Sequence, residues 1–141
     1  MAVTPEAVIP ELLLAHMAAL VLVPARRVAW PNISFTPVTG ETYLDVSHLP
    51  NATTSPFLAA DDESMYLGQL QVTIVAPLDK GIIQPSEIVG EVVAHFSVGT
   101  ILRPADGSFA LKIYDVPGDS PVIIDKPSIR IPVTIKWRAF I

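Results

Sequence analysis

The sequence predicts an α+β fold, a largely antiparallel sheet with two helices packed on one side, and three observations carry that expectation. First, residues 66–81 place Gly68, Leu70, Val72, Ile74 and Ala76 on one side of an extended strand and Gln69, Gln71, Thr73 and Val75 on the other. Second, residues 128–137 repeat the pattern: Ile129, Ile131, Val133, Ile135 and Trp137 alternate with Ser128, Arg130, Pro132, Thr134 and Lys136. Two strands of this kind share one sheet and bury their apolar faces under a helix. Third, two other stretches have helical spacing, so the order along the chain is helix, strands, helix, strands.

Taken in order, Thr4 is a plausible N-cap with Pro5 at the first helical position. Pro10 removes a backbone donor, which moves the expected start of the regular helix to Pro10 itself. Leu13, Leu14, Met17, Leu20 and Val21 then form a wide apolar stripe that Pro24 closes. Residues 28–30 form a short apolar strand, which residues 33–35 extend after a turn at Pro31-Asn32. Residues 42–49 form another, beside the central strand. Residues 50–62 have no regular period and form the longest expected loop.

Pro77 ends the central strand and Gly81 permits the turn after it. In residues 85–96, Ile88, Val89, Val92, Val93 and Phe96 recur at helical spacing, with Glu87, Glu91 and His95 off the stripe. Residues 100–103 and 109–114 flank a hairpin connection at 104–108. Pro117-Gly118-Asp119 reads as a turn and residues 122–124 as a small strand. Pro132 places the last strand at a sheet edge or bulge.

Composition bounds the function. A chain of 141 residues is sized for one domain, spanning 1–141, with a real core. Charged residues make up 16%, against about 25% in soluble domains. Half of the residues are hydrophobic and the mean hydropathy is +0.48, so part of the surface is expected to be covered by a partner. A net charge of −5 argues against general nucleic-acid binding, which needs clustered Lys and Arg; Arg26-Arg27 is the one adjacent basic pair. With no cysteine, disulfide scaffolds and Cys-based sites are excluded. The apolar run at 12–23 is too short to span a bilayer, contains His16 and follows Glu6 and Glu11 rather than a basic region, so neither a membrane segment nor a signal peptide is expected.

No chemistry stands out. His16, His48 and His95 lie at no metal-ligand spacing, and a lone helical histidine is usually structural. Asp61, Asp62 and Glu63 lack the ligand alternation and glycine of a calcium loop. There is no nucleophile elbow, phosphate-binding loop or dinucleotide fingerprint, and the Asn51-Ala52-Thr53 glycosylation pattern is incidental. No catalytic, cofactor or metal residue is expected.

Residues 28–51, VAWPNISFTPVTGETYLDVSHLPN, and 66–81, YLGQLQVTIVAPLDKG, resemble the tail-terminator, or tail-completion, proteins of long-tailed bacteriophages. The similarity lies in WPN followed by FTP, a strand ending in LPN, the central GQLQVTIVAP, the helix end at 94–96 with Gly99 and Leu102 after it, and the closing IPVTIKWR. Together they cover nearly the whole chain in order. The resemblance implies a ring of this protein with itself, commonly about six copies, on the head-proximal end of the tail tube in the virion, assembled in the bacterial host cytoplasm. There it stops polymerisation of the tail tube protein and meets the head–neck connector, while DNA passes through the lumen unbound and no membrane is involved. The family brings no catalytic residues. An acidic lumen, with Asp61, Asp62 and Glu63 contributing, would repel DNA rather than hold it.

Exposure supplies the candidate interface residues. Phe57 and Leu58 are expected as apolar anchors beside Asp61 and Asp62, and Arg26, Arg27, Asp79 and Lys80 as polar contacts to a neighbouring subunit or the tube. The competing readings are another neck or head–tail joining protein, a small-ligand-binding α+β module with one deep pocket, and an enzyme with a spatially assembled site.

Overall fold

The computed structural model describes residues 2–54 and 63–141. Helix α1 (Pro5–Ala18) is followed by β1 (Val28–Ala29), β2 (Tyr43–Pro50), β3 (Met65–Pro77), α2 (Ile83–His95), β4 (Ile101–Leu102), β5 (Leu111–Ile113), β6 (Gly118–Asp119), β7 (Ile123–Asp125) and β8 (Ser128–Phe140). These make an α+β fold whose sheet runs β1-β2-β3-β8-β5-β4, with β6 and β7 also paired to β8. All pairings are antiparallel except β1 with β2.

The two strands with the strongest period-two pattern are neighbours over their full length: Met65 faces Phe140 and Pro77 faces Ser128. Register builds apolar rows across the sheet. Leu44, Ile74 and Ile131 form one, Val46, Val72 and Val133 the next, and His48, Leu70 and Ile135 a third. Ile9, Leu13 and Met17 of α1 and Ile88, Val89 and Val92 of α2 join these rows in one core. Each large side chain taken wholly out of water contributes about 1.5–3 kcal/mol, so the three rows are the main source of stability.

A fourth row ends in a close approach. Gly68 pairs with Trp137, and a Cβ on Gly68 would lie 2.8 Å from Trp137 Cζ2 and 2.7 Å from the Leu49 carbonyl oxygen. Only glycine leaves room for the indole to lie flat over the strand. At the other end of β3, Gly81 has φ 82° and turns the chain into α2.

Several elements differ from expectation. Helix α1 begins at Pro5 and runs through Pro10, with Thr4 in extended N-cap geometry but making no side-chain cap bond. The carbonyl that Pro10 leaves without a helical donor belongs to Glu6, an exposed residue. The helix stops at Ala18 rather than at Pro24, so Leu20 and Val21 lie beyond it and Val21 is exposed. Residues 33–35 form no strand.

Gly118 and Asp119 are a strand, not a turn, because their backbone pairs with Thr134 and Val133 of β8. Strand β8 is central, not an edge, and reaches Phe140. Pro132 is tolerated there for a specific reason. Its carbonyl accepts from the Ser120 N–H, 2.9 Å away, so its nitrogen also points to that side, at the break between β6 and β7 where no ladder donor is required.

Candidate functional surfaces

One face of the sheet carries both helices, and the opposite face carries none. On the latter, Asp45, Thr73, Gln71, Thr134 and Lys136 are half-buried. Two of its cations are paired within the chain, while Lys112 and Arg138, on the same face, have no carboxylate partner among the described residues and Arg138 lies over the Tyr114 ring. Arg130 donates from Nε to Asp125 Oδ2 at 3.0 Å and from Nη1 to Asp45 Oδ2 at 3.3 Å, tying β7 to β2 across the two strands between them. Lys136 Nζ lies 3.4 Å from Asp115 Oδ2. These contacts tie the strands of this face together. Among the described residues no group of His, Asp and Glu is placed to hold a metal ion.

The sheet's two edges are different. On one side β1 covers β2 only at Leu44 and Asp45. The chain leading into β1 after α1 exposes Val21 and Val23, the latter at 89%. Between that segment and β1 runs an open groove of about 290 Å³, lined by Met17, Leu20, Leu22, Ala25, Arg26 and Trp30 among others. On the other side, β5, β6 and β7 lie in series along β8, and β4 covers only β5. The outer edge of β6 and β7 is therefore open among the described residues. It carries Val116, Val122, Ile123 and Ile124, all exposed, Ile124 at 66%.

The residues expected at interfaces divide clearly. Arg27 is an internal strut: its Nε and Nη2 each donate to Glu41 at 2.6 Å, Nη2 also donates to the Thr36 carbonyl, and its guanidinium lies over the Phe35 ring. The Arg27 guanidinium holds the Glu41 carboxyl down at about 2. Arg26, one residue earlier, lines the groove and has no ion-pair partner among the described residues. Asp79, in the left-handed region at φ 65°, and Lys80 sit exposed in the turn before α2, next to Leu78, whose N–H donates to the Pro127 carbonyl in the turn between β7 and β8. Phe57, Leu58, Asp61 and Asp62 lie outside the described residues.

Two histidine sites were hidden from sequence reasoning. His16 and His95, each in the last turn of its helix, stack at 4.1 Å. The Nε2 of each donates to the other's backbone carbonyl, and Phe96 packs edge-on against both rings. The pair clasps the C-terminal ends of α1 and α2 through carbonyls of the last turns, the His16 carbonyl accepting from the Ala19 N–H as well. Burial lowers the His16 pKa from its ordinary value. His48 stacks on Trp137 at 5.7 Å, and burial lowers its pKa too. Among the described residues His48 Nδ1 and Trp137 Nε1 have no hydrogen-bond partner, and both side chains border a cleft of about 210 Å³ that Glu6 and Ile9 of α1 also line. The sequence puts His95 near a helix end but runs the first helix on past His16 towards Pro24, so it offers no signal for the first site.

No described helix is long and apolar enough to cross a membrane. No curated protein matches the chain. One solved structure is similar with a TM-score of 0.72 over 92% of this chain and 94% of its own, at 24% identity, which supports the fold alone. Residues 8–137 match the family described as phage tail terminator protein. That match takes in both helices, the groove, the open β6–β7 edge and most of β8, and the chain belongs to the phage tail terminator family, structural proteins that complete the tail.

Proposed function

We propose that this protein forms a closed ring on the head-proximal end of the phage tail tube, where it stops tube growth and presents a surface to the head–neck connector. The observation that supports the ring is the distribution of exposed apolar side chains. Two groups of them lie at different edges of one sheet, Val21 and Val23 beside the groove at β1 and Val116, Val122, Ile123 and Ile124 on the outer side of β6 and β7, while others such as Val38 and Ile83 are scattered over the rest of the surface. Two unlike patches on opposite sides give a head-to-tail contact, which closes into a ring when the rotation between copies allows. A two-fold dimer would need a single self-complementary patch instead.

The rest of the surface fits the role. The grooves are open rather than enclosed, unlike the deep pocket of a small-ligand module. On the bare sheet face Arg130 and Lys136 are tied to carboxylates of the same chain. Stopping a polymer requires one surface like that of the tube subunit and a second that does not continue the repeat. An excess of negative charge lets DNA cross the ring without adhering.

The test is assembly of purified tail tube protein with and without this chain, read as tube length by electron microscopy. Tubes of limited length with a ring at one end are the expected result. Unchanged growth with no density at either end overturns the proposal, and binding to isolated neck rings instead would identify a head–tail joining protein.

A further inference from the structure

We propose that the outer edge of β6 and β7 in one copy seats in the groove beside β1 of the next, with Asp119 of the first against Arg26 of the second. The inference rests on the ring reading and assigns its subunit contact.

Three features point to this pairing of surfaces. An open edge strand is normally blunted by charge, proline or a covering element. Here Val122, just before β7, and Ile123 and Ile124 within it follow in succession, each exposed, and Ile123 and Ile124 face opposite sides of the sheet. The strands are short and flanked by Pro117, Pro121 and Asp125, so what the edge offers another copy is its apolar side chains rather than a backbone template, and the apolar groove at the far edge of the same sheet is the surface of like character.

Charge selects the register. Of the three carboxylates along 115–125, Asp115 is engaged by Lys136 and Asp125 by Arg130. Asp119 is exposed with no ion-pair partner among the described residues. Of the two arginines at the other edge, Arg27 is held by Glu41 and Arg26 is left over. One unpaired carboxylate and one unpaired guanidinium, on opposite edges, make a complementary pair only between two copies.

Orientation agrees as well. Asp119 pairs with Val133, whose side chain belongs to the helix-bearing side of the sheet. The groove is bounded by Met17 of α1 and so lies on that same side. Neighbouring copies placed edge to edge, helices to the same side, bring the two together without inverting either subunit.

The experiment uses the full chain at concentrations where the wild type assembles, alone or on purified tail tubes, read by sedimentation velocity and electron microscopy. R26E and D119R each place like charges in contact and are expected to weaken assembly about tenfold or more. The double variant R26E/D119R restores opposite charges at every contact in the ring and is expected to recover most of the loss. Ile124→Asp, at a 66% exposed position, is expected to abolish assembly while thermal unfolding stays as in the wild type. Single variants that assemble normally, or a folded double variant no better than the singles, overturn this contact and leave the ring reading standing. A wild type that assembles neither alone nor on tubes overturns both.

Discussion

Strand β8 has two flanks, and they differ. Along one, β3 is paired from end to end without interruption. Along the other, β5, β6 and β7 are short pieces separated by residues 114–117 and 120–122, and the outer edge of the last two is bare among the described residues. The continuous flank carries the fully buried Leu70, Val72, Ile74, Val133 and Ile135. The broken flank carries Val116 and Ile124 in water. Apolar residues are abundant on both, so hydrophobicity by itself does not tell core from interface. What separates them is whether a strand or helix of the same chain covers the side chain.

Substitutions sharpen that contrast. The largest expected effect is at the continuous flank: Trp137→Ala removes a 1% exposed indole and should cost about 3–5 kcal/mol of stability in denaturant titration. Gly68→Ala pushes a methyl group against backbone on one side and the indole on the other, and should cost about 1–3 kcal/mol by the same measurement. A cost near zero there would show that the Trp137 ring is not seated against β3.

Histidine protonation should come next. Native His16 and His48 have pKa values lowered by burial, whereas the unfolded chain takes up their protons near 6.5. The unfolded state therefore binds more protons as pH drops below 6.5, and stability, full above that value, should decline. Melting temperature measured from pH 7.5 to 5 should fall, and the fall should be shallower in His16→Gln. The smallest effect on stability belongs to the broken flank: Ile124→Ser should leave folding within about 0.5 kcal/mol of wild type, although the same change should weaken assembly. A large folding defect there would mean that the edge belongs to the core after all.

Much of the continuous flank was legible in the sequence, because period-two alternation over more than ten residues has one physical reading. Helix α2 was legible for a similar reason, its stripe of Ile88, Val89 and Val92 being buried as expected. The broken flank was not. Pro117-Gly118-Asp119 has turn composition, and only the backbone groups of Thr134 and Val133 make Gly118 and Asp119 a strand. Pro132 pointed to an edge because sequence shows a missing donor but not the gap in the neighbouring strand that makes it harmless. The His16–His95 clasp joins residues 79 apart, beyond any local pattern. Arg26 and Arg27 were expected to act alike; Glu41, fourteen positions on from Arg27, takes one and leaves the other.

The most direct test of the account is the mass of the purified protein in solution, followed by negative-stain microscopy of the protein mixed with tail tubes. The account predicts a closed ring near about six times 15.2 kDa, formed alone or on the tube, and seen at one tube end only. A strict monomer that leaves tube ends bare would contradict it.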